Sequence, residues 1–311
     1  TPVTSATEEY NFSATVTTAA AWSSGGNLNT ARYLMQSGTT GTQTAGLGFG
    51  GYSPAAPGNN TWAVTEEYNG TSWSEQNDLP VAKSRHGGCG TQTAAVAFGG
   101  FSPLGPNTNY NTTEEYDGTS WTSTGNLSTG KCYMAGFGIQ TAAVSAGGAT
   151  LSPDTRKNGT EEYDGSSWTS VSNMPNFYQN QGSAGTLTAG LVSGGKSGPT
   201  GANTTDTLEY DGTNWSTSSA LLITGANGTK GMGIQTNALF SGFPSTTLLA
   251  YDGSNWITSV SSSVSHAYGA SGGTASSGLM SGGFDDPSIL TSTEEFNPET
   301  TAANIKTLTT S

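Results

Sequence analysis

The chain has 311 residues, of which 45 are glycine, 32% are hydrophobic and 10% are charged, and its formal net charge is −13. Because nucleic acids and anionic membrane surfaces are bound by clustered Lys and Arg, the excess of 22 acidic over 9 basic residues argues against both partners. The 7 Trp, 12 Tyr and 10 Phe recur at regular positions, which separates this chain from disordered chains of similar polarity.

A nine-residue motif, TEEYDGTSW at residues 113–121, recurs along the chain at intervals of about 40 to 60 residues. Its first copy is irregular, because Tyr10 and Trp22 lie farther apart than the Tyr and Trp of later copies. Its last copy, around Phe296, is also weak. A repeat on this scale predicts an array of similar supersecondary units. The other clear copies are TEEYNGTSW at 65–73, TEEYDGSSW at 160–168, TLEYDGTNW at 207–215 and LLAYDGSNW at 248–256.

Each repeat predicts four strands, and residues 73–121 illustrate the pattern. Strand-sized pieces separated by turn residues fall at 84–91, 93–98, 112–116 and 120–124, and we name them strands a, b, c and d. Strand b is a run of small apolar residues that ends in a glycine pair, which is typical of a strand covered on both faces. Strands c and d form a hairpin at an Asp-Gly or Asn-Gly turn.

In this hairpin the Tyr of strand c lies opposite the Trp of strand d, and we interpret the pair as packing between sheets. The Glu residues of strand c alternate between its two faces. Because Leu208, Leu249 and Ala250 replace them in two copies, we predict that these carboxylates mostly face water and hold no metal. The predicted packing pairs are Tyr68 and Trp73, Tyr116 and Trp121, Tyr163 and Trp168, Tyr210 and Trp215, and Tyr251 and Trp256.

The order of these motifs resembles the kelch repeat over essentially the whole chain. Glycine pairs, Glu-x-Tyr-Asp, Trp, Leu-Pro and Arg-His-Gly follow one another, most clearly in residues 79–121 and 127–168. The kelch resemblance implies an all-β fold, a β-propeller in which each repeat is a blade of four antiparallel strands. Six strand-b endings against seven c-type strands predict six blades, with seven as the alternative. The whole chain is then one domain, in which residues 23–311 form the propeller and residues 1–22 an irregular strand pair that closes or covers the ring.

A narrower likeness concerns the idiom GTQTAAVAFGG at residues 90–100 followed by TEEYDGTSW. This idiom is similar to repeats in structural proteins of bacteriophages, particularly marine ones, found in fibres, tails or capsids. The resemblance implies a non-enzymatic virion protein for tail-fibre attachment or capsid decoration, whose partners are other virion proteins and a host-surface glycan or receptor. No signal peptide and no apolar run of the roughly 20 residues that span a membrane are visible.

Recognition is expected at the end of the sheets where the b–c and d–a connections emerge. The b–c loops vary in length and chemistry, and variable loops on a rigid scaffold commonly carry recognition. The alternative interpretation is that the b–c loops are ordinary surface loops whose sequences have drifted. The candidate binding residues are Tyr52, Trp62, Phe101, Tyr110, Asp154, Arg156, Phe243, Asp285 and Asp286.

The chain has few residues that suit an enzymatic function. A copper oxidase of the propeller type needs two His and a Tyr–Cys link, and the chain has only His86 and His266, which we place at corresponding positions of strand a. No Gly-x-Ser-x-Gly elbow is present. Cys89 and Cys132 are expected to be free and packed. We therefore predict no catalytic residues, no metal and no cofactor, with a secreted carbohydrate-active or oxidative enzyme and a host kelch adaptor as alternatives.

Overall fold

The computed structural model describes residues 12–36, 38–56, 60–103, 108–151, 153–198, 201–243 and 245–306. Within these ranges the chain forms β-strands and no helix. The strands include six four-stranded antiparallel sheets, each with the strand order a-b-c-d. The prediction of an all-β chain built from four-stranded antiparallel sheets is confirmed.

The sheets are numbered here in the chain order of their strands a. They follow one another around a ring with strand a innermost, and the sixth sheet contacts the first, so the inner strands enclose a central channel. In the first three sheets the strands are Gly41–Thr42, Ala45–Phe49, Thr65–Tyr68 and Trp73–Glu75; Gly87–Thr91, Ala94–Phe98, Thr113–Tyr116 and Trp121–Thr124; and Ala135–Ile139, Ala142–Ala146, Thr160–Tyr163 and Trp168–Val171. In the last three they are Gly182–Thr186, Ala189–Ser193, Thr207–Tyr210 and Trp215–Thr217; Asn227–Ile234, Asn237–Phe243, Ser245–Tyr251 and Trp256–Thr258; and Ala270–Thr274, Ser277–Ser281, Thr293–Asn297 and Ala21–Ser24.

The sixth sheet is built from both ends of the chain. Its strand d, Ala21–Ser24, comes from the N-terminal side and pairs with Thr293–Asn297, so that Trp22 lies opposite Phe296. Beyond it, Phe12–Thr18 pairs with Thr300–Lys306 in a two-stranded ribbon. The predicted first motif copy at Tyr10 lies outside the described residues. The remaining short strands are Phe101–Ser102 with Thr108–Asn109, Ala149–Leu151 with Asp154–Arg156, Tyr178–Gln179 with Lys196–Ser197 and Ala202–Asn203, and Phe284–Asp285 with Ser288–Ile289.

The repeated motif folds as the c–d hairpin because its turn residues bind their own backbone. The Asp117 carboxylate accepts hydrogen bonds from the backbone N–H groups of Thr119 and Ser120, at 2.9 and 2.8 Å. Gly118 adopts a φ of +88°, which a glycine tolerates without a steric penalty. This turn places Tyr116 opposite Trp121, with ring centroids 5.0 Å apart.

The two aromatic side chains of each hairpin also join neighbouring sheets. The Trp121 indole donates a hydrogen bond to Thr65 Oγ1 at 2.9 Å, and the Tyr116 hydroxyl donates one to the Glu67 carboxylate at 2.9 Å. Burial raises the pKa of the Tyr116 hydroxyl, and the carboxylate beside it raises it further. Equivalent Trp–Thr bonds link Trp73 to Thr293, Trp168 to Thr113, Trp215 to Thr160 and Trp256 to Thr207, and equivalent Tyr–Glu bonds link Tyr68 to Glu295, Tyr163 to Glu115, Tyr210 to Glu162 and Tyr251 to Glu209.

The prediction that the strand-c carboxylates mostly face water is wrong. The second Glu of each doublet accepts a tyrosine hydroxyl from the next sheet, and the first Glu is buried against a basic side chain from the d–a connection of its own repeat. In the second sheet, Lys83 Nζ lies 2.5 Å from Glu114 Oε2, with both side chains buried. The other pairs are Arg32 with Glu66, Lys131 with Glu161, and His266 with Glu294.

One seam of the ring lacks these polar links. The sixth sheet carries Phe296 in place of the tyrosine, and the fifth sheet carries Ala250 in place of its acceptor Glu. Leu248 also stands where the other preceding sheets have the acceptor threonine, and the Trp22 indole donates instead to the Val260 carbonyl at 3.2 Å. The seam between the fifth and sixth sheets is therefore apolar where the others are hydrogen-bonded.

Replacing Tyr116 with Phe is expected to lower the free energy of unfolding by about 1–2 kcal/mol, because the half-buried Glu67 carboxylate loses its donor. The double variant Tyr116→Phe/Glu67→Ala copies the Phe296–Ala250 seam and should recover much of that loss. Urea unfolding of the single and double variants measures both values. Equal stabilities for Tyr116→Phe and the unmodified protein would contradict the role assigned to this bond.

Candidate functional site

A ring of six residues surrounds one mouth of the central channel, at the end where the b–c and d–a connections meet. Each comes from the same position of a different repeat, in the d–a connection or at the start of strand a, and each has a left-handed backbone conformation with φ between +55° and +63°. Five of the six are not glycine, and non-glycine residues in this region are commonly retained where function requires them. The six residues are Leu34, Arg85, Tyr133, Asn180, Gly228 and Tyr268.

Backbone hydrogen bonds join this ring from repeat to repeat. The Arg85 N–H donates to the Leu34 carbonyl at 2.8 Å, and the Tyr133 N–H donates to the Arg85 carbonyl at 2.7 Å. The same link continues around the channel through Asn180, Gly228 and Tyr268, and the N–H of Met35 closes the circle on the Tyr268 carbonyl at 3.1 Å. The ring fixes the direction of the side chains at the mouth. It also explains why strand a of the second sheet begins at Gly87 rather than at the predicted residue 84: a positive φ at Arg85 ends extended structure.

An arginine lies among aromatic rings at this mouth. The Arg85 guanidinium carbon is 5.1 Å from the ring centre of Phe101, 5.4 Å from that of Tyr133 and 5.8 Å from that of Tyr52. Its Nε donates a hydrogen bond to the Tyr133 hydroxyl at 2.5 Å. The aromatic group extends to Tyr33, which contacts Tyr52, Tyr268 and Phe284 with ring centroids 5.3 to 6.4 Å apart. We call these seven residues the mouth cluster: Tyr33, Tyr52, Arg85, Phe101, Tyr133, Tyr268 and Phe284.

The mouth cluster carries a positive charge on a strongly acidic chain. Burial raises the pKa of Tyr133 and of Tyr268, so both phenols are neutral at neutral pH. Tyr268 donates its hydroxyl to Asn227 Oδ1. None of the ion pairs in the described part of the chain includes Arg85. The guanidinium is therefore held by rings and hydroxyls instead of by a carboxylate.

Gln36 and residues 38–40 of the first repeat cross the channel below this mouth. Lys230 Nζ of the fifth sheet donates to the Gln36 carbonyl at 2.6 Å, and Thr39 Oγ1 donates to the Gly231 carbonyl at 3.0 Å. A Cβ on Gly38 would lie 2.1 Å from the Gly88 carbonyl oxygen and 2.2 Å from that of Gly136, in the second and third sheets. Burial lowers the pKa of Lys230 to about 7. This crossing segment leaves a cavity of about 30 Å³ on the mouth side and one of about 150 Å³ on the other.

Of the nine candidate binding residues, the structure brings Tyr52 and Phe101 together, on two sides of Arg85. Phe101 is 6% exposed, and the Arg85 guanidinium lies over its ring. Tyr110 is half-buried with its ring 5.9 Å from Lys83 Nζ. Elsewhere, Trp62 and Asp285 are half-buried, Asp154 and Asp286 are exposed, Arg156 donates to the Gly198 carbonyl, and Phe243 ends strand b of the fifth sheet.

Arg85, Tyr133, Tyr33 and Tyr268 were not among the predicted binding residues. They lie in the d–a connections, whereas the prediction considered only the b–c loops. The sequence offers no repeat-position signal for them, because the ring position and the two positions that flank it all change from repeat to repeat.

The residues that an enzymatic reading would use are buried and separate. His86 and His266 do not occupy corresponding positions, because His266 aligns with Lys83 and its Nε2 lies 3.0 Å from Glu294. Burial lowers the pKa of His86 well below its usual range. Cys89 and Cys132 are free and buried, as predicted, and burial raises the pKa of Cys132 to about 12. Across the described residues, no group of three or more His, Cys, Asp or Glu could hold a metal ion.

No protein-family model and no curated protein matches the chain. Among solved structures, one described as the structure of YjhT matches with a TM-score of 0.71 at 14% identity. The match covers 89% of this chain and 99% of that one. The part of the chain that the structure describes contains no helix long and apolar enough to cross a membrane. At this identity the likeness concerns the fold alone, and with the ring of four-stranded sheets it shows that the chain has a propeller-like all-β fold.

Proposed function

We propose that the chain is a six-bladed kelch-type propeller that acts as a non-enzymatic attachment protein, with each four-stranded sheet as one blade. The mouth cluster is its recognition site, and the ligand is a glycan on a host surface. The observation that carries this proposal is the Arg85 guanidinium held among the rings of Tyr52, Phe101 and Tyr133.

The chemistry of the mouth cluster suits a sugar. Tyrosine rings present an apolar face beside a hydroxyl, and a sugar ring likewise combines C–H faces with hydroxyl groups. The planar guanidinium of Arg85 offers several N–H donors in a fixed fork, which orients hydroxyl or carboxylate oxygens of a ligand. Because the left-handed backbone ring fixes these side chains, little conformational entropy is lost on binding.

The shape of the mouth favours weak contacts with the end of a glycan. The cavity behind the cluster has a volume of about 30 Å³, which suits a water molecule and not a sugar. A ligand therefore rests on the surface of the cluster, and single-site affinity is low. Many copies on one particle would raise the overall affinity by avidity.

We place the protein on a bacteriophage particle, as a fibre, tail or capsid component with other virion proteins as partners. The support is the resemblance of its repeat idiom to that of phage structural proteins. Mass spectrometry of purified particles tests this placement. Absence of the chain from particles, together with fusion to an adaptor domain, would favour a host kelch adaptor instead.

Replacing Arg85 with Gln is expected to weaken glycan binding at least tenfold, because the charged fork that orients ligand oxygens is lost. A glycan array followed by calorimetry with the best ligand measures the change. Arg156→Gln is the matched comparison, because Arg156 is a sequence-predicted candidate that lies outside the mouth cluster, in the ribbon with Ala149–Leu151, and its replacement should leave the affinity unchanged. Equal affinities for Arg85→Gln and the unmodified protein would refute the site. Turnover of a sugar that is abolished by replacing His86 or His266 would favour the enzymatic alternative.

A further inference from the structure

Four repeats bury a basic side chain against the first Glu of strand c. The fourth and fifth sheets carry other residues at these two positions, and the replacements differ in size. In five of the six repeats the position of the basic residue lies four residues after an apolar residue near the start of the d–a connection; in the sixth that residue is Ser262. In the fourth sheet Tyr178 and Leu208 occupy the positions of the cation and the Glu. In the fifth sheet Ala226 and Leu249 occupy them. The equivalence is structural, because the carbonyls of Lys83, Lys131, Tyr178 and Ala226 each accept the N–H of the second residue after the preceding strand b, namely Gly51, Gly100, Gly148 and Gly195.

Only the fourth sheet fills the vacated space. The Tyr178 ring is buried and its hydroxyl donates to Asp206 Oδ2 at 2.8 Å. In the fifth sheet the methyl group of Ala226 is too short to do so. Strands b and c of this sheet are also close in sequence, since strand b ends at Phe243 and strand c begins at Ser245. The result is a cavity of about 410 Å³, which we call the fifth-sheet pocket.

The walls of the fifth-sheet pocket are mostly apolar and carry no charge. Leu222, Ala226, Phe240 and Leu249 line it together with six Ser and Thr residues, and none of the described lining residues is Asp, Glu, Lys, Arg or His. The hydroxyl of Ser241, also in the wall, is buried and has no hydrogen-bond partner. A buried hydroxyl without a partner is costly, and a ligand that bonds to it removes that cost. Ile223 extends the apolar surface to the rim, where it is 54% exposed.

We propose that the fifth-sheet pocket binds a neutral, largely apolar small molecule of one to three rings that carries a single polar group for the Ser241 hydroxyl. The volume falls within the range of about 300–1,000 Å³ typical of small-molecule sites. A charged ligand is disfavoured because the walls offer no counter-charge. The site is independent of the mouth cluster, with which it shares no residue.

The probes are N-phenyl-1-naphthylamine, whose fluorescence increases in apolar surroundings, and 1-naphthol. We expect saturable binding of both at one site. The variant Ala226→Tyr copies the Tyr178–Leu208 combination of the fourth sheet and should reduce N-phenyl-1-naphthylamine affinity at least tenfold. Should that variant fail to fold, Ala226→Lys/Leu249→Glu, which copies Lys83 and Glu114, fills the same space. Naphthalene, which lacks the hydroxyl of 1-naphthol, serves as the apolar comparison. The variant Ser241→Ala should weaken 1-naphthol binding severalfold and leave the affinity for naphthalene unchanged.

Arg85→Gln is the control for position and should bind both probes as the unmodified protein does. Absence of saturable probe binding by the unmodified protein would overturn the proposal. Undiminished binding by a folded filling variant would overturn it as well, because the probe would then occupy another site.

Discussion

Replacing Lys83 with Met is expected to lower the free energy of unfolding by about 3–5 kcal/mol, which would make it one of the most destabilising single changes in the chain. The reason is the partner that remains. Glu114 is 1% exposed, and Lys83 Nζ is its ion-pair partner at 2.5 Å. Without that cation the carboxylate is buried with no counter-charge, or it must take up a proton. Chemical unfolding monitored by the fluorescence of the buried tryptophans measures the loss.

The chain itself supplies the matched control. Lys83→Tyr/Glu114→Leu installs the Tyr178–Leu208 combination that the fourth sheet uses at the same two positions. Because a well-packed apolar pair commonly replaces a buried ion pair at little cost, this double variant should be within about 1–2 kcal/mol of the unmodified protein. A double variant as unstable as Lys83→Met would show that the loss comes from packing and not from the unpaired carboxylate.

Replacing Gly38 with Ala is expected to lower the free energy of unfolding by about 3 kcal/mol or more. The new Cβ would lie 2.1 Å and 2.2 Å from two backbone carbonyl oxygens, those of Gly88 and Gly136. Both oxygens belong to inner strands, so relief of the clash requires the channel itself to widen. We expect a lower thermal midpoint, because the methyl group pushes the crossing segment away from the inner strands.

Gly159→Ala is the control for this change, since a Cβ at Gly159 meets nothing closer than 3.9 Å. It should leave the thermal midpoint almost unchanged. A Gly38→Ala protein as stable as Gly159→Ala would mean that the segment does not cross the channel at this depth.

The fold followed from the sequence because its determinants are local. The Asp117-Gly118 turn sets the c–d hairpin, and the hairpin sets the Tyr116–Trp121 register. The environment of the Glu doublets did not follow, because their partners are distant in sequence. Glu67 binds Tyr116 of the next sheet and Glu114 binds a lysine 31 residues before it. Comparison of the repeats shows that the first Glu and the basic residue occur together, since Leu208 and Leu249 replace the Glu in the two repeats that also lack the basic residue.

The mouth cluster was only half predictable. The expected end of the sheets contains it, and Tyr52 and Phe101 were among the candidates. In the sequence Arg85 is part of a repeat motif. Its position at the mouth depends on a positive φ, which cannot be predicted from the sequence at a residue other than glycine. The path of the crossing segment could not be predicted either, because nothing local to Gly38 indicates that carbonyls of two other repeats approach it.

The apolar seam between the fifth and sixth sheets favours one arrangement of the strands that close the ring. Near-identical repeats risk docking in the wrong order, because any hairpin can offer its Tyr and Trp to any neighbour. The strand pair that carries Trp22 and Phe296 has no tyrosine hydroxyl to donate and would leave a carboxylate unsatisfied against any strand c that carries the usual Glu. Ala250 removes that penalty at one position only. The two ends of the chain therefore pair most favourably beside the fifth sheet, and this pairing closes the ring.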